Sequence, residues 1–140
     1  VEKHSSTESK IENCHVVNCT IGSAKYTGGL VGYKDGPGSL TVKDCSVKNS
    51  TIVSKYTENN GVLYKGHCGG LVGYYANPLA IDNCSVENNT FDVLGARCGL
   101  FIGSAQTDIA VSGSTKGNTG LSSLTGEINK ITDWSNVNVQ

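Results

Sequence analysis

One block of residues recurs along this chain, and the spacing between its copies limits the folds that the chain can adopt. Full copies occupy Ile11–Ile21, Val42–Ile52 and Ile81–Phe91, and a degraded fourth copy begins at Val111. The starting positions 11, 42, 81 and 111 are 31, 39 and 30 residues apart. A period of about thirty residues is typical of stacked supersecondary units, none of which buries its apolar face alone.

The spacing inside each copy predicts short β-strands. Apolar residues stand five positions apart, as at Ile11, Val16 and Ile21, whereas one face of a helix would place them three and four positions apart. The blocks are also rich in Val, Ile, Thr, Asn and Gly, several of which disfavour helix interiors. Strands of about three residues, each followed by a tight bend at Asn, explain the five-residue step. This path predicts an all-β chain folded as a parallel β-solenoid of about four coils, with rungs about 4.8 Å apart.

Stacked coils place equivalent residues above one another, so the copies predict columns of side chains. Four columns are predicted to point inward: Ile11, Val42, Ile81 and Val111; Val16, Val47, Val86 and Lys116; Ile21, Ile52 and Phe91; and Leu30, Leu71 and Leu100. The charged Lys116 breaks its column. It indicates either that the last coil opens to solvent or that its register shifts.

Another column consists of asparagines that fall where the path must turn. It contains Asn18, Asn49, Asn88 and Asn118. We expect these amides to bond one another and neighbouring carbonyls, forming a turn ladder. Four N-x-[ST] sequons begin at Asn18, Asn49, Asn83 and Asn88, and their coincidence with the turns indicates by-products of the repeat rather than glycosylation sites.

A second block follows each copy, at Gly28–Tyr33, Gly69–Tyr74 and Cys98–Gly103. This G-G-L-V-G-Y block, with I-x-N-C-x-V-x-N-x-T-I before it, resembles the GLUG-type repeat of large bacterial surface proteins, which include adhesin-like proteins and immunoglobulin A peptidases. The third copy departs from that pattern, with Cys98 for the first Gly and Phe101-Ile102 for the Leu-Val pair. The resemblance implies a right-handed parallel β-helix in a secreted, surface-exposed and often adhesive protein. It does not imply peptidase activity, because catalysis in those proteins belongs to a separate metal-binding domain and this sequence has no H-E-x-x-H motif.

The repeats predict three coils, at residues 11–39, 40–78 and 79–108. Residues 1–10 are predicted to be a polar tail, and residues 109–140 a degenerate fourth coil with a terminal strand that acts as a cap or a docking end. Coil two is longer than the others, because Gly70 stands 18 positions after Ile52, whereas Gly29 stands only eight positions after Ile21. A ten-residue insertion therefore lies within residues 54–68. Insertions in repeat proteins form loops on one face, where binding is often found.

The insertion supplies the candidate contact residues for a ligand: Tyr56, Glu58, Asn59, Asn60, Tyr64, Lys65 and His67. Tyrosine offers an apolar ring and a hydroxyl to a glycan or a protein. Tyr26, Tyr33, Tyr74 and Tyr75 are predicted to point outward as further candidates, although the first three follow the repeat and are equally expected to be scaffold. The insertion is also compatible with a tolerated surface loop that has no role.

The six cysteines form two groups. Cys14, Cys45 and Cys84 stand two residues before an inward Val, so alternation predicts an inward ladder of reduced thiols, and Cys19 is predicted to fill the core from a similar position. Cys68 and Cys98 lie about one rung apart and form a candidate disulfide that ties the insertion to coil three. No metal site is predicted, because His67 beside Cys68 lacks a C-x-x-C or paired-His partner.

Composition limits the function classes further. A net charge of −1 supplies no basic stripe for nucleic acid, and no apolar run is long enough to insert into a membrane. Acids such as Asp44 and Asp82 fall at different columns, so a polysaccharide-active enzyme, whose carboxylates must cluster, is a weak alternative. We therefore expect a non-catalytic extracellular or cell-surface module without a cofactor, which presents a contact loop to a glycan or protein on another surface. The main alternative is a structural subunit that polymerises with copies of itself through open solenoid ends.

Overall fold

The computed structural model describes residues 2–3, 8–54, 57–59, 62–64, 66–93, 97–121, 131 and 133–140. Within 2–3, 57–59 and 62–64 only the backbone is described. The described residues form β-strands joined by bends and contain no helix, which confirms the all-β prediction. None of them, accordingly, belongs to a helix of the length and apolarity needed to cross a membrane.

The strands follow the repeats in chain order. A short strand, β1 (Glu2–Lys3), comes first. The first repeat contains β2 (Ser9–Glu12), β3 (His15–Val17), β4 (Thr20–Ser23), β5 (Tyr26–Gly28) and β6 (Val31–Lys34). The second contains β7 (Leu40–Lys43), β8 (Ser46–Lys48), β9 (Thr51–Ser54), β10 (Thr57–Asn59), β11 (Val62–Tyr64), β12 (His67–Gly69) and β13 (Val72–Tyr75). The third contains β14 (Leu79–Glu87), β15 (Thr90–Val93), β16 (Arg97–Gly99) and β17 (Ile102–Ala105), and the fourth β18 (Ala110–Lys116), after which comes β19 (Val137–Val139).

The strands of each repeat, here termed a layer, pair in parallel with the equivalent strands of the next layer. Sheet I contains β2, β3, β7, β8, β14, β18 and β19; sheet II contains β4, β9 and β15; sheet III contains β5, β12 and β16; and sheet IV contains β1, β6, β13 and β17. Among the described strands, only the β10–β11 hairpin is antiparallel. The sheets curl around one apolar core.

The strand register confirms three of the predicted inward columns across the first three layers. Ile11, Val42, Ile81 and Val111 are successive partners in sheet I, as are Val16, Val47 and Val86. Ile21, Ile52 and Phe91 are partners in sheet II. In layers 2 and 3 these side chains are buried, and each contributes about 1.5–3 kcal/mol of transfer free energy.

Asparagine or aspartate occupies both bends of sheet I in each of the first three layers, including Asn83 within β14. Asn18, Asn49 and Asn88 have φ of 58°, 51° and 54°, and Asn13, Asp44 and Asn83 have closely similar values. This left-handed conformation is unfavourable for most residues, but Asn and Asp tolerate it because their short polar side chains bond locally. The bends therefore occur where the five-residue spacing predicts them.

The fourth layer is one residue shorter than the others at its first bend, and this shortening explains the Lys116 anomaly. Val111 pairs with Ile81, but Gly113 pairs with Cys84, so one residue instead of two separates these positions. Lys116 consequently pairs with Glu87 and points to solvent, and Thr115 takes the buried position opposite Val86. Of the two explanations of the break, the shifted register is therefore the one observed.

The second block of the third repeat also aligns differently from the prediction. Gly69 pairs with Gly99 and Cys68 with Cys98, so Leu100 stands at the position of Gly70, and Phe101, rather than Leu100, continues the Leu30–Leu71 column. A Cβ at Gly70 would collide with the Leu100 carbonyl and the Val86 side chain. A larger residue is tolerated at Leu100 because β16 is the last strand of sheet III.

The two ends of the stack differ. At the C-terminal end, β19 pairs with β18, Ile131 and Val137 are buried, and the Trp134 ring lies 6.0 Å from the Phe101 ring. At the N-terminal end, residues 1–10, predicted to be a polar tail, contain β1 and the start of β2. Among the described strands, β2, β3 and β4 of layer 1 pair only with layer 2, and their inward residues Ile11, Val16 and Ile21 are half-buried.

Candidate ligand-contact surface

The predicted insertion contains a β-hairpin between sheets II and III. Thr57 pairs with Tyr64 and Asn59 with Val62 in antiparallel register. Glu58, Asn59 and Tyr64 are thus placed by their backbone on the hairpin strands. Tyr56, Asn60 and Lys65 lie outside the described residues. His67 follows the hairpin as the first residue of β12, where the chain rejoins the repeat.

His67 joins three tyrosines in an aromatic cluster formed by Tyr26, Tyr33, His67 and Tyr74. The register stacks His67 on Tyr26 in sheet III and Tyr74 on Tyr33 in sheet IV. Ring centroids are 5.2 Å apart in the first pair and 5.5 Å apart in the second. Between the columns, the Tyr26 and Tyr33 rings lie 4.5 Å apart, and His67 meets Tyr74 edge-on at 5.5 Å. All four side chains are half-buried, so the cluster forms part of the surface.

Polar side chains surround the aromatic cluster. The Tyr33 hydroxyl donates to Asp35 Oδ2 at 3.1 Å, and Gln106 Nε2 donates to the Tyr74 hydroxyl at 2.8 Å. Burial, followed by the Asp35 hydrogen bond, raises the pKa of Tyr33 to about 12. The Lys25 ammonium lies 5.2 Å from the centre of the Tyr26 ring. The surface thus combines aromatic rings with groups of both charges, a combination suited to contacting a glycan or a protein.

Tyr75 differs from the prediction, because it is fully buried rather than outward. Successive residues of a strand point to opposite sides, so an outward Tyr74 requires an inward Tyr75. Lys34, its partner in β6, is fully buried as well, and its ammonium lies 5.1 Å from the Tyr75 ring centre. This ammonium donates to the carbonyls of Gly36, Pro37 and Gly38. Sequence reasoning missed Lys34, although the same alternation, counted from Tyr33, places it inward.

The thiol column is buried only in layers 2 and 3. Cys45 and Cys84 are buried, and each Sγ donates to backbone carbonyls, for example Cys84 to Val42 O at 3.4 Å. Burial raises the pKa of Cys84 to about 11. Cys14 and Cys19, predicted to be inward, are exposed instead, because the described strands that flank them, β2, β3 and β4, pair only with layer 2.

Cys68 and Cys98 are direct partners in sheet III, one position closer in register than the sequence alignment predicts. Both are buried and both are free thiols. A hydrogen bond with Cys98 and then burial raise the pKa of Cys68. The disulfide between them stays a prediction.

The asparagine turn ladder also differs from the prediction. Asn18, Asn49 and Asn88 share the turn position, but their side chains are exposed, and Asn118 stands opposite Asn89 because of the shortened fourth layer. At this second bend, the interlayer amide bonds form one residue further on. Asn89 Nδ2 donates to Val47 O at 2.9 Å, and Asn118 Nδ2 donates to Val86 O at 2.8 Å.

A groove of about 570 Å³ beside layers 3 and 4 brings together three carboxylates, Asp82, Asp108 and Asp133. Ser112 Oγ donates to Asp82 at 2.9 Å. The Ser135 N–H donates to Asp133 Oδ1 and lowers the pKa of this carboxyl group. A carboxyl group with a lowered pKa is unsuited to act as a general acid. Within the described part of the chain, no group of three or more His, Cys, Asp or Glu is arranged to hold a metal ion.

Comparisons with protein-family models, with curated proteins and with solved structures find no match for this chain.

Proposed function

We propose that the chain is a right-handed parallel β-helix of about four coils. The support is the repeated passage of the chain through sheets I to IV, in which strands pair in parallel with their equivalents in the next repeat. The coils correspond to residues 11–39, 40–78 and 79–108, and residues 109–140 form a degenerate fourth coil with its cap. The resemblance to GLUG-type repeats supports the right-handed path.

We infer that this β-helix is a non-catalytic, adhesin-like module that displays a ligand-contact surface. The observation that carries this inference is the position of the β10–β11 hairpin, which interrupts the repeat and rejoins it at His67, inside the aromatic cluster. A glycan or protein on another surface would contact the hairpin and the rings together. The resemblance to surface proteins supports an extracellular or cell-surface location.

The hairpin can be removed without altering the repeat. Deleting residues 56–65 leaves Lys55 and Gly66 between β9 and β12, the same two-residue length that Ala24 and Lys25 provide between β4 and β5. We expect the shortened chain to fold, with Cys45 and Cys84 still protected from maleimide.

The test is binding to a printed glycan panel and to mucin-coated wells, which present both glycan and protein. We expect the deletion and His67→Ala each to weaken binding at least about tenfold, or about 1.4 kcal/mol. Val17→Ser in β3 is the matched control, because Val17 is exposed in sheet I, outside the cluster. Binding that survives the deletion unchanged would contradict the display function.

The polymerising alternative requires two open ends. Ile131 and residues 133–140 lie on the C-terminal end, where Ile131 and Val137 are buried, and this arrangement supports a cap rather than a docking strand. Polymerisation through both ends is therefore the less well supported of the two functions.

A further inference from the structure

Layer 1 exposes residues that the same fold buries elsewhere. Val47 and Val86 are fully buried, but Val16, the same residue type in the same column, is only half-buried. Ile11 and Ile21 differ from their partners in the same way. Cys14 and Cys19 are exposed, whereas the equivalent Cys45 and Ser50 are buried. The end of the core is thus an apolar surface formed by Ile11, Cys14, Val16, Cys19 and Ile21, here termed the open end.

The backbone at the open end is unpaired on one side. Among the described strands, β2, β3, β4 and β5 are edge strands, each paired only with layer 2. Such an edge presents a row of N–H and C=O groups that accept another strand. It is therefore a template for β-augmentation, in which backbone bonds supply affinity and side-chain positions supply specificity.

One strand already lies beyond layer 1. Glu2 pairs with Tyr33 and Lys3 with Lys34 in parallel, so β1 stands on β6 as β6 stands on β13. Sheet IV thus continues past layer 1, whereas no described strand pairs with β2 to β5 at the level of β1.

A polar pattern between the layers specifies which way the next chain must run. The N–H of Cys19 donates to Ser50 Oγ at 3.1 Å, Ser50 N–H to Asn89 Oδ1 at 2.9 Å, and Asn89 N–H to Asn118 Oδ1 at 3.0 Å. Each layer thus donates to a side chain of the layer after it. By the same rule, Cys19 Sγ is the acceptor for a preceding layer that runs in parallel.

We propose that the open end docks a segment of a separate polypeptide that adds as a parallel coil, with apolar residues at five-residue steps facing Ile11, Val16 and Ile21. Parallel strands with apolar residues at these positions cover the equivalent faces of layers 2 and 3, and β1 pairs with β6 in the same parallel way. A second folded copy cannot supply such a coil head to tail, because residues 131–140 cover its C-terminal end.

The probe is a fluorescein-labelled peptide of residues 40–54 carrying Cys45→Ser, which has the required spacing at Val42, Val47 and Ile52. With the full chain, we expect a saturable rise in anisotropy and about tenfold slower maleimide modification of Cys14 and Cys19, because the docked strand covers both thiols. A control peptide with Val42→Ser, Val47→Ser and Ile52→Ser should neither raise the anisotropy nor slow the modification of Cys14 and Cys19.

Two variants of β3 form a matched pair. Val16→Asp places a charge on the open end and should weaken peptide binding at least about tenfold. Val17→Asp adds the same charge to the neighbouring outward residue, 46% exposed, and should leave binding unchanged. Protection of Cys45 from maleimide verifies that both variants are folded.

Three outcomes would overturn the proposal. The first is the absence of saturable binding by the folded wild-type chain. The second is equal binding by the Val16→Asp and Val17→Asp variants, which would place the peptide elsewhere. The third is a concentration-dependent dimer, seen by sedimentation without peptide, in which Cys14 and Cys19 are already protected, because the occupant would then be a second copy. None of these results bears on the hairpin surface, so the two proposals can fail separately.

Discussion

At the scale of the residue, burial is set by the layers on either side and not by the side chain itself. Cys14, Cys45 and Cys84 share one position, but Cys14 is exposed because, among the described strands, β2 and β3 on either side of it pair only with layer 2. The apolar neighbours of Cys84 disfavour its thiolate, so its pKa rises to about 11 from an ordinary value of 9.0. The pKa of Cys45 is also raised, chiefly by burial.

These thiols predict a loss of stability in alkali. Below pH 9 the Cys84 thiol is protonated in the folded and unfolded chains, but between pH 9 and about 11 only the unfolded chain loses this proton. The free energy of unfolding should therefore fall across that range. Urea unfolding at successive pH values measures this free energy, and the Cys84→Ala variant should show a smaller decrease with pH than the wild type. Cys14→Ala, which alters an exposed thiol, should leave the slope as in the wild type, and equal slopes in all three proteins would contradict the prediction.

At the scale of the element, a buried lysine organises the bend after β6. The Lys34 ammonium donates to the carbonyls of Pro37 and Gly38 at 3.0 and 3.2 Å, and the Tyr75 hydroxyl also donates to Gly38 O, at 3.1 Å. Asn77 Nδ2 bonds the Gly36 carbonyl from the next repeat. Residues 35–39 are thus held by donors from two layers.

Replacing Lys34 tests this arrangement. Lys34→Met keeps an unbranched apolar chain but removes the charged donor that three carbonyls share, and we expect the free energy of unfolding to fall by about 2 kcal/mol or more. Lys48→Met is the matched control, because Lys48 is partly exposed and its ion pair with Glu87 at 3.4 Å contributes about 0–1 kcal/mol. Urea unfolding compares the two variants, and equal midpoints would show that the Lys34 bonds contribute nothing.

The sequence predicts the repeating elements well because period and side-chain alternation are local properties. The columns of Ile11, Val16 and Ile21 are found as predicted through layer 3, and the arithmetic from Ile52 to Gly70 located the hairpin. The prediction was wrong where one residue was lost or gained without a visible signal. The missing residue before Gly113 displaced Asn118, and the shift before Gly99 moved Leu100 out of the Leu71 column.

The candidate site was only partly predictable for a related reason. Aligning the repeats places Tyr26 with His67 and Tyr33 with Tyr74, but the contact between those two columns depends on the corner between sheets III and IV. That corner is a tertiary feature. The exposure of Cys19 was missed because sequence alignment treats all repeats as equal, whereas β3 and β4 of the first repeat pair with one neighbour only among the described strands.

At the scale of the whole molecule, the two ends predict different association behaviour. Removing residues 131–140 would uncover Phe101, Val111 and Thr115, which are buried beneath the cap. We expect the truncated chain to associate head to tail, its exposed last layer meeting the open end of another copy, so that sedimentation velocity detects species that grow with concentration.

The same matched pair identifies the surfaces that meet. Val16→Asp should abolish growth of the truncated chain, and Val17→Asp should leave it unchanged. A truncated chain that remains monomeric at all concentrations, or that grows regardless of Val16→Asp, would contradict this model of the ends.

The single residue missing before Gly113 has a consequence for how such an array can lengthen by gene duplication. Layers 1 to 3 share a bend at Asn13, Asp44 and Asn83, so a copied coil inserted among them meets the same register above and below. The fourth layer lacks this bend, and a coil copied after it would meet displaced partners. A coil duplicated among layers 1 to 3 would therefore keep its strand partners in register, whereas a coil duplicated after the shortened one would not.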